Sequence, residues 1–357
     1  MKNHISLFIF AIALLSGPVS ANDLSMTAVK DTLASIPGEH NYIYVRTPLG
    51  EDEEKNYDEI TFYDGLGREL DFAQSYGADR AGAIMAHHHL IEYDSLGRKE
   101  KQWLSTNTSF SYMSPEDLKG GVLWDYHDAG KRSYLQTNYE SSPLNRITEQ
   151  YGVGDAWGDH PARMEYLTNI PADSLRCSFY FIDDNDSLIR RGDYRSGELQ
   201  VTKATDEDGK PTYTFVDKQG RTLLTRLGRG NQQADTYFVF DRFGRIRYVL
   251  PPMINDEISA GNLDLYAYQY LYDSFGRCIS KKLPGCAAIG YVYDKADRVI
   301  LSQNGNQSQK KEWTFTFYDN QGRLALTGLC SFNDPPSLDN SIVRAYRTTS
   351  EKDGVLH

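Results

Sequence analysis

The chain has 357 residues, enough for two or three domain-sized pieces or one elongated repeat body. Its net charge of -11, from 38 basic and 49 acidic residues, repels phosphate backbones and speaks against nucleic acid as a partner. Only 4 cysteines occur (Cys177, Cys278, Cys286 and Cys330), too few for a disulfide scaffold.

Residues 1–21 read as a secretory signal. Lys2 and His4 precede an apolar run from Ile5 to Leu15, then Gly17, Pro18 and small residues up to Ala21, after which cleavage is expected. The run is too short to span a bilayer, and no later stretch is long and apolar enough for a transmembrane segment. Residues 22–38 form a short leader.

Residues 39–112 carry two hairpin signals. "ITFYDGLGREL" and "HLIEYDSLGRKE" each run a strand-like stretch into Asp-x-x-Gly-Arg, at Asp64, Gly67, Arg68 and at Asp94, Gly97, Arg98. Between them His87 and His89 would share one face of a strand and could reach one ion, but no further ligand motif accompanies them. A polar strand is the simpler reading.

Residues 113–176 look like an irregular insertion rich in Gly, Asp and Pro, with a longer hairpin signal from Tyr139 to Arg146. Further on, "DDNDS" (Asp183 to Ser187) and "DEDG" (Asp206 to Gly209) suggest Ca²⁺, yet no Glu closes a ligand loop after either, and both read better as turns. Residues 177–330 form a repeat array, densest over 236–330: Asp217, Gly220, Arg221; Asp241, Gly244, Arg245; Asp273, Gly276, Arg277; Asp294 and Arg298 around Asp297; and Asp319, Gly322, Arg323. Residues 331–357 make a polar tail.

Asp-x-x-Gly-Arg thus occurs six times, where composition alone predicts on the order of 0.1 occurrences. The residue before each Asp is Tyr63, Tyr93, Val216, Phe240, Tyr272 or Tyr318, all strand formers. The motif is conformational. Asp accepts from the backbone two residues on, and Gly takes the left-handed position of a bulged type I turn. Arg then opens the return strand. Asn145 and Asp297 stand where Gly is missing, and Asn and Asp tolerate that conformation best after Gly. Alternation on "EWTFTFYD" sets Trp313, Phe315 and Phe317 on one face and Thr314 and Thr316 on the other.

These Tyr-Asp units resemble the YD repeats of Rhs-type proteins. Residues 41–50 ("NYIYVRTPLG"), with the two hairpins after them, "WGDHPARMEYLTN" and "KKLPGCAAIGYVYDKADRVILSQNG", resemble the N-terminal region of exported Bacteroidetes Rhs-repeat proteins, a domain of unknown function of the DUF6443 type. The resemblance implies an all-β fold of antiparallel hairpins forming part of a curved, spiralling sheet. It also implies a non-catalytic shell module that encloses or delivers a C-terminal effector. The expected partner is a protein or the remainder of such a shell. A cell-envelope binding module for a glycan or protein, and a carbohydrate-active enzyme using paired carboxylates, remain as alternatives. No nucleophile elbow, phosphate loop or dinucleotide fingerprint appears, so no catalytic residue, metal or cofactor is expected.

Overall fold

The computed structural model describes Ile36 and residues 40–48, 56–78, 84–228, 233–254 and 258–331. The signal, most of the leader and the tail lie outside the described residues. By contacts the chain forms two compact units, Met1–Glu165 with Lys203–Pro211, and Tyr166–Thr202 with Thr212–His357. Both are built of antiparallel hairpins, and the fold is all-β.

In the first unit β1 (Asn41–Pro48), β2 (Asn56–Tyr63), β3 (Glu69–Ala78) and β4 (Ile84–Tyr93) pair in sequence order. Strand β4 then serves two partners. Its first half pairs with β6 (Thr106–Ser109), and its last residues pair with β5 (Lys99–Trp103). From β5 the ladder continues to β7 (Tyr134–Tyr139), β8 (Ile147–Tyr151) and β9 (Ala162–Thr168). Period two decides what is buried: Ile60 and Phe62 of β2, Ala73 of β3, and Ile84 and Ala86 of β4 form one core with Phe110. His88 lies in the same buried face, its Nδ1 2.7 Å from Asp71 Oδ2 and its Nε2 2.9 Å from the Ser109 carbonyl. It ties β3 and β4 to the end of β6.

Residues 113–176 are more regular than the insertion expected there. Helix α1 (Pro115–Asp125) starts at Ser114, whose hydroxyl accepts from Asp117 N, with Pro115 in the first turn. Leu118 and Val122, one turn apart, are buried, each side chain contributing about 1.5–3 kcal/mol of apolar burial. Strands β7, β8 and β9 follow it within the same segment.

In the second unit β10 (Ser178–Ile182) and β11 (Leu188–Asp193) form a separate hairpin. Tyr180 of β10 meets Tyr237 edge-on, with ring centroids 4.8 Å apart. After β12 (Gln200–Thr205), strands β13 (Pro211–Val216) through β22 (Leu324–Ser331) run as a simple meander, each pairing with the next. Two short helices, α2 (Ala260–Tyr266) and α3 (Gly305–Lys310), sit in the connections. The core gathers at the early strands, where Leu199, Val201, Phe215, Leu224, Val239 and Leu250 are buried together. The later strands are thinly covered. From β17 (Tyr268–Tyr272) to β22 only Leu301 and Trp313 are buried apolar residues. Trp313 and Phe317 lie opposite Cys330 and Leu326 across β21 (Glu312–Tyr318) and β22.

Candidate functional site

The turns at Asp64 and Asp94 in the first unit, and at Asp217, Asp241, Asp273, Asp294 and Asp319 in the second, follow alternate strands of an antiparallel ladder and so fall at one end of the strands, lining a rim in each unit. The turn at Asp273 shows the local bonding. Asp273 N donates to the Arg277 carbonyl at 3.0 Å, and Gly276 N donates to the Asp273 carbonyl at 3.1 Å. Asp273 Oδ1 accepts from Phe275 N and Arg277 N at 3.0 and 2.9 Å, and Oδ2 accepts from Arg277 Nε at 2.7 Å. Gly276 sits at φ +87°, a region that costs a residue with a Cβ. The same bonds form at Asp64 with Arg68, Asp94 with Arg98, Asp217 with Arg221, Asp241 with Arg245, Asp294 with Arg298 and Asp319 with Arg323. Gly67, Gly97, Gly220, Gly244 and Gly322 lie at φ between +78° and +81°. Asn145 and Asp297 occupy the equivalent position at +54° and +59°.

Every carboxylate here is fully engaged. Burial opposes ionisation of Asp273, but the backbone N–H and guanidinium of Arg277 outweigh it and hold the carboxyl below its ordinary value. The balance is the same at Asp64, Asp94, Asp217, Asp241 and Asp294. At Asp319 the backbone N–H of Arg323 is the largest influence, and it also lowers the value. In the longer hairpin Glu140 replaces Asp, and its bond from Arg146 brings it down to about 2.

Sequence reasoning treated each arginine only as the first residue of a return strand. The structure gives it a second task. In six turns the guanidinium lies over the aromatic ring that precedes the next turn's acid. Arg68 covers Tyr93 at 4.4 Å and Arg98 covers Tyr139 at 4.7 Å in the first unit. In the second, Arg221 covers Phe240 at 5.0 Å, Arg245 covers Tyr272 at 4.7 Å, Arg277 covers Tyr293 at 5.1 Å and Arg298 covers Tyr318 at 4.8 Å. The tyrosine answers. Its hydroxyl donates back to the carbonyl of the residue after that arginine: Tyr93 to Glu69, Tyr139 to Lys99, Tyr272 to Ile246, Tyr293 to Cys278 and Tyr318 to Val299, at 2.6–3.2 Å. Arg98, Arg245 and Arg277 reach further, to the main-chain carbonyls of Glu140, Asp273 and Asp294. Successive turns are therefore clasped to one another, not merely placed side by side.

Both segments considered for Ca²⁺ are turns of this same kind. Asp183 Oδ1 accepts from Asn185 N and Ser187 N, with Asp186 at φ +65°. Asp206 Oδ1 accepts from Lys210 N, with Gly209 at φ +78°. An Asp followed three residues on by Gly, Asp or Asn is the broader signal that would have found them. His87 stacks on Tyr76 at 4.4 Å, and His89 lies 6.3 Å from Phe72. Of the four thiols, none of which is bridged, Cys177 is buried and Cys286 is exposed.

The second unit also holds a cavity of about 290 Å³ lined by Tyr180, Asp235, Tyr237, Leu250, Pro251 and Pro252, among others. Asp235 is the one carboxylate lining it, and it is held in a fork by Arg226, with bonds of 2.7 and 2.6 Å. Arg226 in turn donates to the carbonyls of Ser174 and Arg176. This geometry fixes a loop and supplies no carboxylate pair for hydrolysis.

Residues 41–168 match the model of a family described as a domain of unknown function, DUF6443. No curated protein matches the sequence. Among solved structures, the chain is similar to one described as "Crystal Structure of TcdB2-TccC3", at 13% identity and a TM-score of 0.53 over 83% of this chain. It is also similar to "Crystal Structure of TcdB2-TccC3-TEV" (12% identity, TM-score 0.52, 88% covered) and "Crystal Structure of TcdB2-TccC3-Cdc42" (14%, 0.54, 87%). The chain spans only 14–15% of the length of those proteins, and at such identity the likeness is one of fold.

Proposed function

We propose that this chain is a non-catalytic, exported structural module: a stretch of a spiralling YD-repeat shell of the Rhs kind, whose partner is the rest of such a shell or a protein held by it. The observation that carries the reading is the clasp between successive turns. It spends the ionisable side chains of the motif on holding hairpins together, so Asp and Arg recur because the wall recurs, not because a reaction needs them. The fold it shares with the much longer TcdB2-TccC3 chains, of which it spans a small fraction, supports the same reading. In a shell the thinly covered strands of the second unit would face further protein.

The test is made in the producing cell. N-terminal sequencing of the exported protein should begin at Asn22, and cross-linking should join the chain to a polypeptide rich in Tyr-Asp hairpins. Recovery of uncut Met1 would remove export. Specific binding of an envelope glycan by the purified protein, or hydrolysis of one, would replace the shell reading with one of the alternatives.

A further inference from the structure

We infer that strand β22, with Arg323 at its head, is a docking edge for one kind of partner: a β-strand that ends in Tyr-Asp, the outgoing strand of a further hairpin supplied by another polypeptide. The inference rests on the shell reading and names what the wall takes next.

The rule comes from the junctions already closed. At each, an arginine covers the next aromatic ring. In five of them a tyrosine hydroxyl also returns to the carbonyl just after that arginine. The arginines of closed junctions have side chains 15–35% exposed. Arg323 makes the usual bonds to its own Asp319 but is 73% exposed, and no ring covers it among the described residues. The strand it opens is bare in the same way. Leu324, Leu326 and Leu329 are 62%, 48% and 64% exposed, and β22 pairs with β21 alone among the described strands. An unpaired ladder beside exposed leucines is a template for strand addition.

The missing groups identify the occupant. An aromatic ring must lie at the turn end of the incoming strand, beneath the Arg323 guanidinium, with a hydroxyl aimed at the Leu324 carbonyl. An acid should follow it, as at Tyr272-Asp273 and Tyr293-Asp294. A second copy does not provide this. Strand β22 itself, "LALTGLCS", holds no aromatic residue. Edge strand β1 of a second copy would run antiparallel to β22 and bring Thr47-Pro48 to Arg323. The outgoing strand of a Tyr-Asp hairpin is what fits.

The experiment uses the full mature chain and a fluorescein-labelled hairpin peptide with the sequence of residues 288–303, "AIGYVYDKADRVILSQ". Fluorescence anisotropy should show saturable binding. Replacing the peptide's tyrosine before Asp (Tyr293→Ala) should weaken it by about threefold to thirtyfold, as expected for losing a cation–π contact together with its hydrogen bond. Arg323→Ala in the protein should weaken it comparably and should abolish the difference between the two peptides. No binding, or equal binding of both peptides by the unaltered protein, overturns the inference. So does binding that appears only after the chain is cut behind Ser331, because the tail would then be the occupant. A stable symmetric dimer readily cross-linked through Cys330 would overturn it too. None of these results bears on export or on the partner found in cells, so failure here is distinct from failure of the shell reading.

Discussion

Arg245 and Arg323 stand at the same place in the same turn and make the same bonds to their own aspartates. Only Arg245 has a following ring, Tyr272 at 4.7 Å, and a bond to the Asp273 carbonyl at 3.3 Å. Arg245 also lies 4.9 Å from the Phe243 ring of its own turn, where the last turn has Gln321, so the alanine pair brackets the clasp and a double-mutant cycle with Tyr272 isolates it. The loss shared by both is an ion pair at the surface, worth about 0–1 kcal/mol. Arg245→Ala should lose in addition a half-covered cation–π contact of about 0.5–1 kcal/mol, and a few tenths to ~1 kcal/mol from the long bond and the packed stem. Arg245→Ala should thus be about 1–2 kcal/mol more destabilising than Arg323→Ala. Urea unfolding followed by circular dichroism measures both. A double-mutant cycle of Arg245→Ala with Tyr272→Leu should return a coupling of about 0.5–1.5 kcal/mol. Equal midpoints for the two alanine variants, with a coupling near zero, would mean that the guanidinium merely lies above the ring.

Gly276→Val forces a β-branched residue to φ +87° and should cost about 1–3 kcal/mol in the same unfolding assay. The equivalent change at Gly97 should cost more, because a Cβ there lies 3.0 Å from Arg68 Nη1. Acid should loosen the rim: the carboxyls are depressed in the folded state, so their stabilisation is complete above the unfolded value and is lost as pH falls through the folded one. For Glu140 that window runs from 4.5 down to about 2, and a pH titration of the unfolding midpoint should fall within it. Iodoacetamide should label exposed Cys286 first. Cys177, buried and pushed up to about 12 by desolvation, should react only on unfolding, as mass spectrometry of timed samples would show.

The hairpins could be read because Asp and Gly act within five residues of each other, and local geometry leaves a local spelling. The clasp could not, because the ring that Arg245 covers is 27 positions away and reaches it only through strand register. Helix α1 was hidden for a different reason. Gly120 and Gly121 depress its propensity, and only Leu118 and Val122 mark a buried face. At Asp183 the sequence shows a turn but not its kinship with the others, because Asp186 and Ser187 replace Gly and Arg, so the letters change while the backbone keeps its course. Strand alternation separates His88 from His87 and His89, but only the pairing of β3, β4 and β6 shows that its face is the enclosed one.

The clasp also bears on how such a wall can change over evolutionary time. Each junction offers a guanidinium and a carbonyl on one side and a ring and a hydroxyl on the other. Removing or duplicating a whole hairpin therefore leaves matching halves to rejoin. The opposite ends of the strands are under no such constraint: the interval between the acids of clasped turns ranges from 21 residues (Asp273 to Asp294) to 46 (Asp94 to Glu140), and the longest one houses α1. Length can thus vary by whole modules, and new surface can be added in the connections, without redesigning the seam that holds neighbours together.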